Sequence, residues 1–202
     1  MTFNAHAPEN TYSLEMAFMW VHHAYPQSVR LCTTDPDIAV ACARRLDWLR
    51  GPLTVDNQTI ANALRQRLNR DVVVHKDNQA VDVAVLPFSR KDYDKPPNAN
   101  TVVMVGYNAL SYKSLTTGFK VEDNVFGMMN WLRQTHTLSQ RVGLMTPDFI
   151  AKWAVSLAAG ARYPGTHFRV SQHAMDHIYR RGPLWLTGYI VVMAGHKNGG
   201  AA

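Results

Sequence analysis

Two histidines and two charged residues recur at helical spacing near the carboxyl end of the chain. His173, Asp176, His177 and Arg180 stand at positions i, i+3, i+4 and i+7, which places them on one face of a helix. Imidazoles at i and i+4 can chelate zinc, and a carboxylate can orient or complete such a site. However, the Glu of a His-Glu-x-x-His motif is absent and no third ligand is signalled. We therefore interpret this face as polar and solvated, and predict no metal site.

The same segment carries residue types that contact a phosphate backbone. Arg180 and Arg181 are adjacent, Tyr179 precedes them, and Arg169 lies on the candidate strand before this helix. Arginines and hydrogen-bonding side chains make most of the sequence-independent contacts to nucleic acids. These four residues form the predicted nucleic-acid site.

The net charge of +6 is distributed unevenly and favours a polyanionic partner. Residues 1–123 contain 13 Lys/Arg and 13 Asp/Glu, whereas residues 124–202 contain eight Lys/Arg and two Asp/Glu. Such an asymmetry predicts RNA or an RNA–protein complex as a partner, alongside protein partners. A mildly basic, solvated surface is the alternative interpretation.

Composition and motifs exclude several classes of protein. An apolar fraction of 47% and a charged fraction of 18% are typical of a globular chain. No apolar run is long enough for a membrane span, and the amino terminus has no secretory pattern. The chain has no phosphate-binding loop, nucleophile elbow, dinucleotide fingerprint or triad spacing.

The two cysteines indicate a compartment rather than a site. Cys32 falls in a candidate strand and Cys42 on the apolar stripe of a candidate helix, so we predict two buried free thiols. This favours an intracellular, reducing compartment, and the cytoplasm and an organelle matrix both stay open.

The elements that carry these residues alternate between helix and strand. We predict helices at 14–24, 36–50, 57–69, around 125–132, 147–159 and 172–181. Strands are predicted at 29–33, 71–75, 81–88, 101–107, 167–170 and 185–194. The central strands are apolar throughout, as in a parallel sheet buried on both faces. The pattern predicts a Rossmann-like three-layer α/β sandwich, mostly parallel with a C-terminal antiparallel strand. We expect an N-terminal helical segment 1–28, one α/β domain 29–197 and a tail 198–202.

The order of these elements resembles the class I S-adenosylmethionine-dependent methyltransferases. Val29–Asp35 is similar to the second strand of that family, whose terminal acid holds the cofactor ribose, and the resemblance gives that role to Asp35. Val72–Lys76 is similar to the third strand, and Asp77 stands near the adenine. Val81–Phe88 resembles the fourth strand, with Pro87 and Phe88 at its end, and 95–106 resembles the fifth. His167–Lys197 is similar to the antiparallel pair that closes the sheet.

The family's glycine-rich cofactor loop has no counterpart in this sequence. That loop lets the backbone approach the cofactor without a Cβ in the way. The first glycine of the chain is Gly51. If Val29–Thr34 were the first strand instead of the second, its loop would also lack glycine. The resemblance is therefore to a degenerate, methyltransferase-like scaffold.

Three functions follow from this pattern. The leading hypothesis is a non-catalytic binding or structural subunit of an RNA-containing assembly, with no cofactor expected. The first alternative is an active methyltransferase with an atypical loop, which would use S-adenosylmethionine. The second is a protein–protein interaction module. The sequence leaves open whether the chain is an enzyme.

The predicted phosphate contacts can be tested directly. Replacing Arg180 and Arg181 by Ala should weaken RNA binding and flatten its salt dependence. With fewer phosphates neutralised, binding releases fewer counterions from the RNA. Fluorescence anisotropy at several salt concentrations measures both quantities. Unchanged affinity and slope would contradict the prediction.

Overall fold

The sheet is built from seven strands, with helices on both of its faces. The computed structural model describes residues 8–76, 79–111, 115, 123–144, 186 and 188–199. The helices are α1 Pro8–His23, α2 Pro36–Arg44, α3 Gln58–Leu68 and α4 Val125–Arg133, and a 3-10 helix spans Arg90–Asp92. The strands are β1 Val29–Leu31, β2 Leu53–Val55, β3 Val73–Val74, β4 Val81–Pro87, β5 Ala99–Tyr107, β6 His136–Leu144 and β7 Ile190–Lys197.

The strand order is β3-β2-β1-β4-β5-β7-β6. The first five strands in this order run parallel, and β7 is antiparallel to both β5 and β6. This confirms the predicted mostly parallel sheet with an antiparallel C-terminal strand. Strand β1 pairs with both β2 and β4, so it is the first strand of the sheet and not the second.

Two short-range signals explain the helix boundaries that were predicted. The Asp35 carboxylate accepts the amides of Asp37 and Ile38 at 2.8 and 3.1 Å, which starts α2. Asn57 caps α3 through the amide of Ile60 at 3.0 Å, and Asn69 ends that helix with a φ of 48°. The helix starts are confirmed, although α2 ends at Arg44, earlier than predicted.

Two strands were not predicted from the sequence. Strand β2 has only three residues and directly follows Gly51-Pro52, so it is too short to show a period. Strand β6 is an edge strand whose middle is polar and exposed. Strands β6 and β7 form the antiparallel pair that closes the sheet, a place that the sequence had led us to expect for 167–170. Residues 145–185 lie outside the described residues, and with them the predicted elements at 147–159, 167–170 and 172–181.

The central strands alternate between two buried faces. Val83 and Val85 of β4 belong to the apolar cluster under α1, α2 and α3, whereas Ala84 and Leu86 belong to the cluster under α4. Strands β5 and β7 divide their residues in the same way. The sheet is therefore buried on both sides, which is why its strands are apolar at nearly every position.

Both cysteines are buried and free, as predicted. The structure shows no helix long and apolar enough to cross a bilayer among the residues it describes.

A buried histidine joins the edge strand to the centre of the sheet. His136 begins β6, is 2% exposed, and its Nε2 lies 3.0 Å from the carbonyl oxygen of Ala99. A carbonyl only accepts, so Nε2 carries the proton and Nδ1 accepts from the Thr135 hydroxyl at 2.8 Å. Burial lowers the pKa of His136 below its ordinary value of 6.5.

This histidine should make folding pH-dependent. The unfolded chain protonates His136 near pH 6.5, but the folded chain does so only at lower pH. The stabilisation is therefore complete above that value and is lost as the pH falls below it. Urea unfolding between pH 7.5 and 5 should show that the free energy of unfolding falls less steeply with decreasing pH in H136Q than in the wild type. The H23Q variant is the matched control, because His23 is exposed at the end of α1. Equal acid slopes for the wild type and H136Q would contradict this assignment.

Candidate functional site

The carboxyl ends of β1, β2 and β4 meet at one edge of the sheet, which we name the carboxyl edge. Ligands of open α/β sheets bind at this edge, because the loops after parallel strands converge there. Here the loops begin at Cys32, Asp56 and Phe88. Asp35, Pro87 and Phe88, predicted from the sequence, all lie at or next to this edge. Asp77, Arg169, Tyr179, Arg180 and Arg181 lie outside the described residues.

The loop after β1 is short and satisfies its own polar groups. It runs from Cys32 to Asp35, with Thr33 fully buried. The Thr33 hydroxyl accepts a hydrogen bond from the amide of Asp35 at 3.2 Å. The Asp35 carboxylate in turn accepts hydrogen bonds from the first amides of α2. The helix amides that most often bind a ligand at this position are therefore capped by the chain itself. Because Asp35 follows β1, it does not end the second strand of the sheet, and its contact with a cofactor stays a prediction.

The acid that ends the second strand is Asp56. Its Oδ1 accepts a hydrogen bond from Nε of Arg30 at 2.8 Å, and its Oδ2 accepts one from the hydroxyl of Tyr93. The side chains of Arg30 and Asp56 are 15% and 14% exposed. Burial raises the pKa of Asp56, and the charge and hydrogen bond of Arg30 oppose that rise. The resulting contact of three side chains joins β1, β2 and the segment after β4.

The segment after β4, residues 89–93, lies over the ends of β1 and β2. The Ser89 hydroxyl donates to the carbonyl oxygen of Cys32, and the Thr34 hydroxyl to Asp92 at 3.2 Å. The indole Nε1 of Trp131 donates to the carbonyl oxygen of Tyr93 at 3.0 Å. This segment is therefore bonded on both sides, to the β1 loop and to α4.

Arg90 fixes the outer side of the same segment. Its guanidinium lies 5.7 Å from the ring centroid of Trp131 and 3.5 Å from Oδ2 of Asp123. A cation over an indole ring and beside a carboxylate is held by two attractions at once. The 3-10 helix that begins at Arg90 is thereby anchored to the start of α4.

Phe88 connects the carboxyl edge to the neighbouring strands. It has a φ of 58°, and its amide donates to the carbonyl oxygen of Val105 at 2.7 Å. Its ring centroid lies 4.8 Å from the ring centroid of Tyr107, and the Tyr107 centroid lies 5.2 Å from that of Tyr189. A bulky residue with positive φ is held only where its surroundings determine it. Phe88 is half-buried in this aromatic row, and Pro87 before it is buried.

The chemistry available among these groups is limited. Burial, with a smaller contribution from the charge of Asp56, raises the pKa of Cys32 far above its ordinary value, so the thiol is protonated and inert. Within the described ranges, no three His, Cys, Asp or Glu side chains gather as metal ligands do.

Sequence reasoning missed Asp56 because it missed β2. The signal was present in Leu53-Thr54-Val55-Asp56, an apolar run closed by an acid after the Gly51-Pro52 helix stop. Asp56 directly precedes the helix predicted at 57–69, where an acid is also common as a cap. Tyr93 gave no signal, since its contact to Asp56 spans 37 residues.

The residues at the carboxyl edge do not fit S-adenosylmethionine as the family would hold it. The β1 loop has no glycine that would let a ligand reach the backbone. Asp56, the acid that ends the second strand, is largely buried beneath Arg30 and Tyr93. Both oxygens of this carboxylate are therefore bonded to side chains of the protein.

Comparison with known proteins identifies the fold. No family model and no curated protein sequence matches the chain. A solved structure of a protein from Galdieria sulphuraria, assigned as a sarcosine dimethylglycine methyltransferase, is 10% identical. The alignment covers 93% of this chain and 86% of that one, with a TM-score of 0.51. A SAM-dependent methyltransferase from Archaeoglobus fulgidus is 9% identical over 91% of this chain and 94% of that one, with a TM-score of 0.49. The chain has a Rossmann-like methyltransferase fold.

Removing the Asp56 carboxylate should be costly. In D56A, Arg30 is left as a largely buried charge without its partner, which should lower the free energy of unfolding by about 3 kcal/mol. The matched control is D37A, whose ion pair with Arg67 is exposed and should contribute less than about 1 kcal/mol. Urea denaturation measures both values. Similar losses in the two variants would show that the three-side-chain contact contributes no special stability.

Proposed function

We propose that this chain is a methyltransferase-like protein that does not use the cofactor and serves as a non-catalytic binding or structural subunit. The observation that carries the proposal is the contact of Asp56 with Arg30 and Tyr93. A carboxylate can hold a ribose only if its oxygens are accessible to the ribose hydroxyls. In this chain the carboxylate instead stabilises the fold.

The segment after β4 supports the same proposal. In the family that the chain resembles, catalytic residues often follow the fourth strand. Here the Ser89 hydroxyl donates to the carbonyl oxygen of Cys32 and the Tyr93 hydroxyl to the Asp56 carboxylate, and Arg90 is paired with Asp123. These side chains are used to close the carboxyl edge, which leaves few groups for chemistry on a bound substrate.

We further propose that the partner is RNA or an RNA–protein assembly. The support is the charge distribution, with eight Lys/Arg against two Asp/Glu in residues 124–202. In the described part of that half, Arg133, His196 and Lys197 are exposed. A surface with an excess of cations attracts a polyanion over several ångströms, and salt screens that attraction.

One observation favours the alternative of an active methyltransferase. An acid does end the second strand at the carboxyl edge, as the resemblance leads one to expect. If the segment 89–93 were to move away from Asp56, the carboxylate would become accessible. Cofactor binding would then have to break the contacts of Tyr93 and Arg30 first.

Calorimetry with S-adenosylmethionine and S-adenosylhomocysteine distinguishes these two functions. We expect no saturable heat and no rise in melting temperature at 1 mM ligand, whereas occupancy at 100 times Kd would stabilise the fold by about 2.7 kcal/mol. Micromolar binding that is abolished in D56N and retained in D37N would overturn the non-catalytic proposal.

The proposed partner is tested by recovering the tagged protein from its native cells with and without RNase. An RNA partner predicts that co-purifying material is lost after RNase treatment. Protein partners that remain in full after RNase would contradict an RNA-borne association and favour the interaction-module alternative.

A further inference from the structure

An aromatic surface lies at the opposite edge of the sheet, where the parallel strands begin. It consists of His22 at the end of α1, Tyr25 in the loop before β1, and Trp48 after α2. The ring centroid of His22 lies 4.8 Å from that of Trp48 and 6.0 Å from that of Tyr25. Tyr25 is 74% exposed and Trp48 is 36% exposed. Nothing in the proposed function uses these residues.

Tyr25 is held in an unfavourable backbone conformation. Its φ is 46°, although it has a bulky side chain and precedes a proline. The loop is fixed by Asp82, whose Oδ2 accepts the amides of Gln27 and Ser28 at 2.8 and 3.0 Å. An exposed aromatic side chain in a strained position packs against little of its own fold. Such strain is more typical of a binding position than of a structural one.

Trp48 is positioned just as firmly. Its indole Nε1 donates to the carbonyl oxygen of Arg45 at 2.9 Å. The turn that follows it touches the Tyr25 loop at Gly51, where an added Cβ would lie 1.6 Å from the carbonyl oxygen of Gln27. Glycine at position 51 is therefore required to bring the two loops together. The three rings form a surface that is organised before any partner binds.

The charges around this surface are positive. Arg45 is paired with Glu15 at 2.8 Å, and Arg70 lies 3.7 Å from Asp47. These contacts account for Glu15 and Asp47, and the Asp82 carboxylate accepts the loop amides of Gln27 and Ser28. Arg44 and Arg50 are exposed, and they form no ion pair within the part of the chain that the structure describes.

We infer that this aromatic surface binds single-stranded nucleic acid. Bases stack on rigid exposed aromatic rings, and neighbouring arginines neutralise the phosphates that connect the bases. Trp48 and Tyr25 provide the stacking rings, and Arg44 and Arg50 provide the charge. The inference rests on the proposed function only in taking RNA as the partner. It assigns that partner a contact at the edge of the sheet where the parallel strands begin, which we name the amino edge.

The experiment measures the affinity of the full chain for a fluorescein-labelled 12-nucleotide oligouridylate by anisotropy. W48A and Y25G should each weaken binding by about ten-fold. Y25G is informative because glycine accepts the positive φ, so it removes the ring while relieving strain in the fold. R44A and R50A should each lower the salt slope by about 0.7.

Two variants serve as controls. W48F keeps a stacking ring and should bind within about two-fold of the wild type. Y12A removes another exposed aromatic side chain of α1, about 15 Å from His22 along the helix, and should leave affinity unchanged. Binding by W48A and Y25G that equals the wild type overturns the inference.

The R180A/R181A variant separates this inference from the proposed function. If that variant alone loses binding, RNA remains the partner and the aromatic surface is excluded. If W48A and Y25G weaken the binding seen for the wild type, the aromatic surface is supported, whether or not Arg180 and Arg181 also contact the RNA. A wild-type chain that does not bind the oligonucleotide overturns both the inference and the RNA partner.

Discussion

Asp56 lies where three separate parts of the chain meet, and the carboxyl edge of the sheet depends on it. A carboxylate at the end of a parallel strand is partly desolvated, and it is stable there only when donors surround it. In this protein the donors are Arg30 from the adjacent strand and Tyr93 from the segment beyond β4. Because the pair is largely buried, losing either charge would leave the other uncompensated. The same contact uses both oxygens of the Asp56 carboxylate.

This arrangement links the fold to the proposed loss of a cofactor. The Rossmann-like sheet converges its loops at one edge, so polar groups there must find partners whether or not a ligand binds. A ligand is one partner that can satisfy them, and the chain's own side chains are another. Here Thr33, Asp35, Ser89 and Tyr93 satisfy them internally. The sheet itself is unaffected, because its stability comes from strands buried under helices on both faces.

The two edges of the sheet therefore differ in physical character. At the carboxyl edge, polar side chains face one another and are bonded within the chain. At the amino edge, Tyr25 and Trp48 face outward and are held by backbone and loop contacts that leave their rings accessible. Binding energy in such a protein is available where the rings are exposed and organised in advance, since little entropy is lost when they stack. The likeness of fold to a methyltransferase does not indicate which edge is used.

Local patterns in the sequence determined the helix starts at Asp35 and Asn57, the apolar strands β4 and β5, the burial of both cysteines and the α/β class. These features depend on neighbouring residues and on hydrophobic periodicity, which a single sequence contains. The tertiary structure alone decided that Val29–Leu31 is the first strand, that Leu53–Val55 and His136–Leu144 are strands at all, and that Asp56 meets Tyr93. Short or half-polar strands have no period of their own, and they form because partners distant in the chain supply their hydrogen bonds. For the same reason, the sequence showed that no glycine precedes Gly51, but only the folded chain showed which side chains bond to Asp56.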